Sequence, residues 1–319
     1  MLPESRIRQE LARTLDETDF TNLGRMERGK VRDSYVQQNR RILVATDRIS
    51  AFDCVLGTIP FKGQVLTQIA AYWFEQTRDI ARNHVIEVPD PSTMVVAECK
   101  QLPLEFIVRG YITGVTKTSA WYNYEKGVRN FCGNVLPEGL RKDQKLEKPI
   151  VTPTTKLEEH DRNVSREEAI REGLIDGALF DKAAALCLKL YARGVELAAK
   201  RGLIFVDTKY ELGTLDGELV VSDEINTPDS SRYWFLDTYQ ELFRAGKDQR
   251  KLDKEYVREW LAAQGFRGEG KPPALTDEVR IEAAKKYIQA YEVVTGREFT
   301  VTDEPAKERM ARNLKRFTV

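Results

Sequence analysis

The sequence predicts an α+β protein of two lobes followed by a C-terminal helical extension, on three observations. Strand-like runs dominate the first hundred residues, with a single helical stretch among them. A long amphipathic helix pattern and a β-hairpin pattern then occur together, which describes a second, mixed lobe. Beyond about Tyr239 only charged amphipathic helices with glycine stops remain. At 319 residues the chain is too long for one small core. The expected divisions are 1–104, 105–238 and 239–319.

The strands of the first lobe are expected at "GKVRDSYVQ", "RRILVATD" and "TMVVAECK", rich in β-branched residues, with "LTQIAAYWFEQTRD" as the helix between the second and third. "LEFIVRGYI" reads as a buried strand. Gly, Thr, Pro and charged residues dominate from there to about Leu157, so that stretch is expected to be functional loop, with a short helix at "TSAWYNYEKG". Ser165 and Glu168 form a capping box ahead of "REEAIREG", closed by Gly173. "ALFDKAAALCLKLYARGVELAAKRG" is a long amphipathic helix ending at Gly202, and "GLIFVDTKYELGTLDGELVVSDEI" is a hairpin turning at Asp216-Gly217. "KEYVREWLAAQG" and "DEVRIEAAKKYIQAYEVVTG" are the helices of the extension, parted by "RGEGKPP" and wrapping the lobes.

Composition narrows the function. Fifty basic residues against fifty acidic ones leave no net field to hold nucleic acid or an anionic membrane, so neither is an expected partner. Cys54, Cys99, Cys132 and Cys187 are scattered without a CxxC, which points to neither zinc nor a disulfide framework and favours a reducing cytoplasm. No apolar run approaches the ~18 residues of a membrane span, and the N-terminal stretch lacks an apolar signal core. The expectation is a soluble cytoplasmic protein, monomeric or a small homo-oligomer.

Several short stretches carry chemistry. "GRMERGKVRDSY" sets Gly29 beside Lys30, with Arg32 on the same strand face, a pair of cations suited to phosphate; a solvated basic strand is the competing reading. In "VDTKYELG", Asp207, Lys209 and Glu211 alternate onto one face. A two-residue turn would bring Glu224 onto that face, and a three-residue loop would bring Asp223. Either arrangement gathers two carboxylates and a lysine, the hard oxygen donors that magnesium on nucleotide phosphates requires; a salt-bridged solvent face is the alternative. Arg109 leaves an apolar strand, where a lone cation is costly unless a ligand or a buried acid meets it. "NTPDSSRYW" offers Ser230, Ser231 and Arg232 as an oxyanion clamp or, in the plainer reading, a capped turn. His160 lacks a second histidine at metal-ligand spacing, and His84 reads as structural.

GKVRDSY, ATDRISAFD, FIVRGYITG with SAW, PTTKLEEHD, VDTKYELG and SDEINTPDSSRYW occur in this order from Gly29 to Trp234. Together they resemble the phosphoribosylaminoimidazole-succinocarboxamide synthase (SAICAR synthetase) family. The resemblance implies an ATP-grasp-like fold holding ATP between a β-rich lobe and an α+β lobe. It implies a ligase that consumes ATP, L-aspartate and the carboxyaminoimidazole ribotide CAIR and yields ADP, phosphate and SAICAR through an acyl phosphate, in de novo purine biosynthesis. By the resemblance, Gly29, Lys30 and Arg32 would hold ATP phosphates, and Cys99, Lys100 and Leu102 the adenine hinge. Glu211 and Asp223 would hold Mg2+, with Lys209 at the transferring phosphoryl group, so that Lys209, Lys30 and Asp223 carry catalysis. Arg109, Ser119 and Arg232 would receive CAIR, while Asp47, Arg48, Ser50 and Asp53 would line the ribotide and aspartate pocket. "TGVTKTSAW" has extra residues between TG and SAW, which leaves Thr113, Thr116, Thr118 and Ser119 all as hydroxyl candidates. A kinase-like phosphotransferase is the runner-up, but its HRD and DFG signatures are missing, and a nucleotide sensor would have no use for the ribotide clamp.

Overall fold

The structure is a computed structural model that describes residues 2–52, 54–156, 161–252 and 255–319. After α1 (Glu4–Glu10), the strands β1 (Arg25–Arg28), β2 (Arg32–Val36) and β3 (Arg40–Ala45) run as a meander. β4 (Arg48–Ala51) and β5 (Cys54–Thr58) form a separate hairpin, and α2 (Lys62–Gln76), β6 (Val85–Asp90) and β7 (Thr93–Ala97) follow. These strands complete an antiparallel five-stranded sheet in the order β1-β2-β3-β7-β6.

The second sheet is built around two thirteen-residue strands, β8 (Lys100–Ile112) and, further along the chain, β12 (Leu203–Leu215). Position 104, where the first lobe was expected to end, lies inside β8. α3 (Ala120–Glu125) and the short β9 (Asn130–Phe131) and β10 (Asn134–Val135) precede β11 (Gln144–Thr155). α4 (Arg166–Arg171) and α5 (Gly177–Ala199) lead into β12, which hairpins to β13 (Glu218–Ser222) and also pairs with β14 (Ser231–Phe235). The order is β11-β8-β12-β13, with β14 beside the N-terminal half of β12. Among the described residues the chain ends with the α-helices α6 (Leu236–Ala245), α7 (Glu255–Ala263), α8 (Asp277–Thr295) and α9 (Ala306–Leu314), followed by a 3-10 turn over Lys315–Phe317.

Local chemistry explains much of this. The capping box forms, Ser165 Oγ accepting from Glu168 N at 3.1 Å and Glu168 Oε2 from Ser165 N at 2.7 Å. α5 buries Phe180, Ala183, Cys187, Leu190, Tyr191, Gly194 and Ala198, a stripe at helical spacing. Gly194 lets β12 approach, because a Cβ there would stand 2.5 Å from the Phe205 ring. The stretch before Leu157 corrects the expectation of loop: β11 is a twelve-residue strand with Pro149 and Pro153. It lies at the sheet edge, where proline removes no required ladder hydrogen bond, and its ladder slips between Lys145 and Ile150.

α5 covers one face of the second sheet, and a core of Phe106, Val108, Phe205 and Tyr210 extends from there to α2 and α8. Tyr35, Ile42, Val44 and Val95 of the first sheet pack with Met310, Leu314 and Phe317, which brings α9 back onto the N-terminal strands. No helix among the described residues is long and apolar enough to cross a membrane.

Candidate active site

The face of the second sheet turned away from α5 is polar. Register sets Glu211 opposite Glu105, Lys209 opposite Ile107, and Asp207 opposite both Arg109 and Arg232. Two glutamates directly opposed on neighbouring strands repel. Lys209 relieves this, with Nζ 2.6 Å from Glu105 Oε1 and 2.9 Å from Glu211 Oε1, and Lys156 pairs with the other Glu211 oxygen. Burial pushes the Lys209 ammonium down, yet Glu105 and Asp223 leave it above the usual lysine range; Lys156, chiefly by burial, lies below it.

Farther along β12, Asp207 is shared by two arginines. Arg109 Nη1 stands 3.4 Å from Asp207 Oδ2, and Arg232 Nη1 donates to the same oxygen. Arg109 therefore has the buried acid that its apolar strand demanded, and also donates to Thr152 Oγ1 at 2.8 Å and to the Thr118 carbonyl at 3.0 Å. Two guanidiniums thus converge on one carboxylate. Arg109, Asp207, Lys209 and Arg232 line a cavity of about 170 Å³ with Thr116, Thr118, Ser119 and the segment 228–231. Thr113 is turned away from it and donates to Asp143 at 2.6 Å.

A second cavity, about 480 Å³, lies between the sheets and is lined by Gly29, Lys30, Val31, Arg32, Cys99, Lys156, Glu211 and Asp223. β12 thus presents Asp207 and Lys209 to one cavity and, two residues on, Glu211 to the other. Lys30 is not on a strand, as expected, but in the turn between β1 and β2, closed by Gly29 N donating to the Arg32 carbonyl at 2.8 Å. Of the hinge stretch, Cys99 and Gln101 reach the cavity, whereas Lys100 is exposed on β8 and Leu102 is packed in the core.

The hairpin turn has two residues, Asp216 and Gly217, both at positive φ (54° and 81°), and sets Glu211 opposite Ser222. By strand parity Glu224 would follow onto the Glu211 face. Asp223 breaks the parity by taking φ 63°, so both carboxylates turn toward Arg32. Arg32 binds Asp223 through both guanidinium nitrogens, one at 3.0 Å, and stands 3.5 Å from Glu224. Burial raises both carboxyls, but the Arg32 guanidinium overcomes this at Asp223 and holds it well below the usual carboxylate range, while Glu224 stays raised.

The structure does not bring Asp47, Arg48 and Ser50 to either cavity. Asp47 accepts from Leu15 N at 2.8 Å and Gly63 N at 3.0 Å, and burial pushes its carboxyl up to about 6. Arg48 donates to Asp33 Oδ1 at 2.8 Å and to the carbonyls of Gly29 and Lys30, both at 3.0 Å. Those bonds hold the turn between β1 and β2 from behind. Ser50 sits half-buried on β4, and Asp53, like Glu158, Glu159 and His160, lies outside the described residues. Glu105 and Lys156 were missed by sequence reasoning. Glu105 lies four residues before Arg109 on one strand, hence on its face, a signal that was available. Lys156 had only its place in the PTTKLEEHD motif.

A family model described as SAICAR synthetase matches residues 25–273. The chain belongs to the SAICAR synthetase family. A phosphoribosylaminoimidazole-succinocarboxamide synthase of Legionella pneumophila (strain Paris) is 46% identical over 299 residues, 92% of this chain and 96% of its own. One from Bacteroides thetaiotaomicron is 45% identical over 314 residues, 96% of this chain and 99% of its own. Among solved structures, the Saccharomyces cerevisiae SAICAR synthase complexed with SAICAR superposes with a TM-score of 0.79 at 33% identity, covering 90% of this chain and 100% of that one. The α+β architecture is accordingly the ATP-grasp-like fold of SAICAR synthetases. The activity of the family is ATP-dependent ligation of L-aspartate to CAIR in purine biosynthesis, and this chain is such a ligase.

Proposed function

We propose that ATP occupies the cavity of Gly29, Lys30, Arg32, Cys99, Glu211 and Asp223, that CAIR occupies the cavity of Arg109, Ser119 and Arg232, and that the two react across Lys209. The observation that carries this reading is the single polar face of β12. It joins a cavity lined by the Arg109 and Arg232 guanidiniums, suited to the ribotide phosphate and carboxylate, to a cavity ringed by cations and by carboxylates that include Glu211 and Asp223.

Glu211 and Asp223 fit magnesium, which takes one or two protein carboxylates and completes its shell with phosphate and water. Among the described residues no group of three or more His, Cys, Asp or Glu side chains could hold a metal. The nucleotide phosphates would complete the shell that the two carboxylates begin. When bound, the ion would neutralise charge on the phosphates. Arg32, Lys30 and Lys156 supply further positive charge to the same oxygens, and Lys209 steadies the phosphoryl group in transit. The scattered cysteines, without a CxxC, favour a reducing, cytoplasmic setting; in this reading the chemistry rests on positioning and charge.

In this scheme a CAIR carboxylate oxygen attacks the γ-phosphorus and ADP leaves, giving an acyl phosphate. The aspartate amine then attacks the acyl carbon, loses a proton, and expels phosphate that keeps the attacking oxygen. CAIR labelled with oxygen-18 in both carboxylate oxygens tests it in one turnover with ATP and aspartate. One heavy oxygen per inorganic phosphate is expected. Unlabelled phosphate would mean that water hydrolysed ATP and that no acyl phosphate formed.

A further inference from the structure

Lys62 opens α2 and is fully buried, a place a lysine takes only when an anion meets its ammonium. The anion is Asp229, whose Oδ2 lies 2.9 Å from Lys62 Nζ. Its other oxygen, Oδ1, accepts from Tyr287 Oη of α8 at 2.6 Å, and the Tyr287 ring centroid lies 5.6 Å from the same ammonium. Asp229 belongs to the segment that walls the Arg109 cavity, next to Ser230 and three residues before Arg232. Two helices from distant parts of the chain thus grip one side chain of that wall.

The start of α2 is itself tightly placed. Gly63 N donates to Asp47, and a Cβ at Gly63 would lie 2.1 Å from the Ala45 carbonyl oxygen, so the helix end is pressed onto the link between β3 and β4. The grip therefore runs from Asp47 through Lys62 to Asp229, and independently from α8 to Asp229.

We propose that Lys62, Asp229 and Tyr287 are positioning residues for the ribotide cavity: they hold the 228–231 wall so that Arg232 meets its ligand. This gives the segment around Asp47 and the helix α8 a part in substrate binding without touching substrate. The proposal rests on assigning CAIR to the Arg109 cavity.

Lys62→Met would strand a buried carboxylate and could prevent folding. The first test is Tyr287→Phe, which removes one hydrogen bond and keeps the ring beside the ammonium. A buried hydrogen bond to a charged group is strong enough that its loss should raise the KM for CAIR about three- to tenfold. The KM for ATP and kcat should stay within about twofold, and SAICAR binding measured by calorimetry should weaken by the same factor as the CAIR KM. Asp229→Asn should act in the same direction and more strongly. A loss of melting temperature with unchanged KM values, or equal rises for ATP and CAIR, would overturn the proposal. Arg232→Lys is the control. A raised CAIR KM there with a normal one in Tyr287→Phe overturns the triad and leaves the cavity assignment standing; normal values in both overturn the assignment and the triad with it.

Discussion

Arg48 Nε donates to the main-chain oxygen of Lys30 at 3.0 Å, while a terminal nitrogen of the same guanidinium binds Asp33, a carboxylate with no solvent exposure. One buried side chain therefore shapes the turn between β1 and β2 and neutralises a core acid. The conformation of that turn is a tertiary property, held from β4 rather than by its own residues.

Replacing Arg48 separates the two duties. Arg48→Met leaves Asp33 without its closest cation and should destabilise the fold by about 3 kcal/mol, the low end for a broken buried pair because Thr18 still donates to Asp33. Urea denaturation reads this. Arg48→Lys keeps a charge but cannot reach Asp33 and two carbonyls together, so the KM for ATP should rise while that for CAIR holds.

Asp223→Asn should fold normally, since Asp223 is only partly buried, yet lose magnesium-dependent turnover by roughly 100-fold or more, the scale of several kcal/mol for metal charge stabilisation. Glu224→Gln should lose much less, because Glu224 does not line the cavity of Lys30, Glu211 and Asp223. Steady-state rates across a magnesium titration decide between them. A normal Asp223→Asn beside an inactive Glu224→Gln would exchange their roles.

Arg232→Lys should raise the KM for CAIR at least about tenfold, with little change for ATP, because an ammonium cannot serve Asp207 and a phosphate with the fork of a guanidinium. Initial rates with each substrate varied in turn provide the measurement. Equal rises for both substrates would remove Arg232 from the ribotide cavity.

His84 gives a pH signature. Burial pushes its imidazole down to about 4, against the ordinary value near 6.5 in the unfolded chain. Between those values the unfolded chain binds a proton that the folded one refuses, so the contribution of His84 is complete above pH ~6.5 and declines toward pH ~4, by about 3 kcal/mol in total. Asp47, raised to about 6 by burial, acts in the opposite sense over part of this window. The quantity to measure is therefore wild-type stability minus that of His84→Phe, which should fall as pH falls. A flat difference would mean that the ring is not held neutral.

Some of this protein was decided within a few residues of chain. The α4 capping box, the α5 stripe and the Asp216-Gly217 turn follow from caps, helical period and positive φ, all free energies that neighbouring residues set alone. The order of six short motifs was likewise legible and identified the family before any contact was known.

Other features waited for the tertiary structure. Arg32 and Asp223 are 191 residues apart, and nothing local specifies that they bind or that Asp223 takes φ 63° to do so. Strand parity alone favoured Glu224. The family resemblance gives ATDRISAFD to the pocket wall, whereas in the fold Asp47 and Arg48 bond backbone groups that would otherwise be buried unpaired. β11 reads as loop because its prolines and threonines deny it a strand's composition, which an edge position tolerates. Periodicity and caps can be read from sequence because their energies act over one turn or one pleat; ion-pair partners and cavity faces cannot, because they depend on which distant surfaces meet.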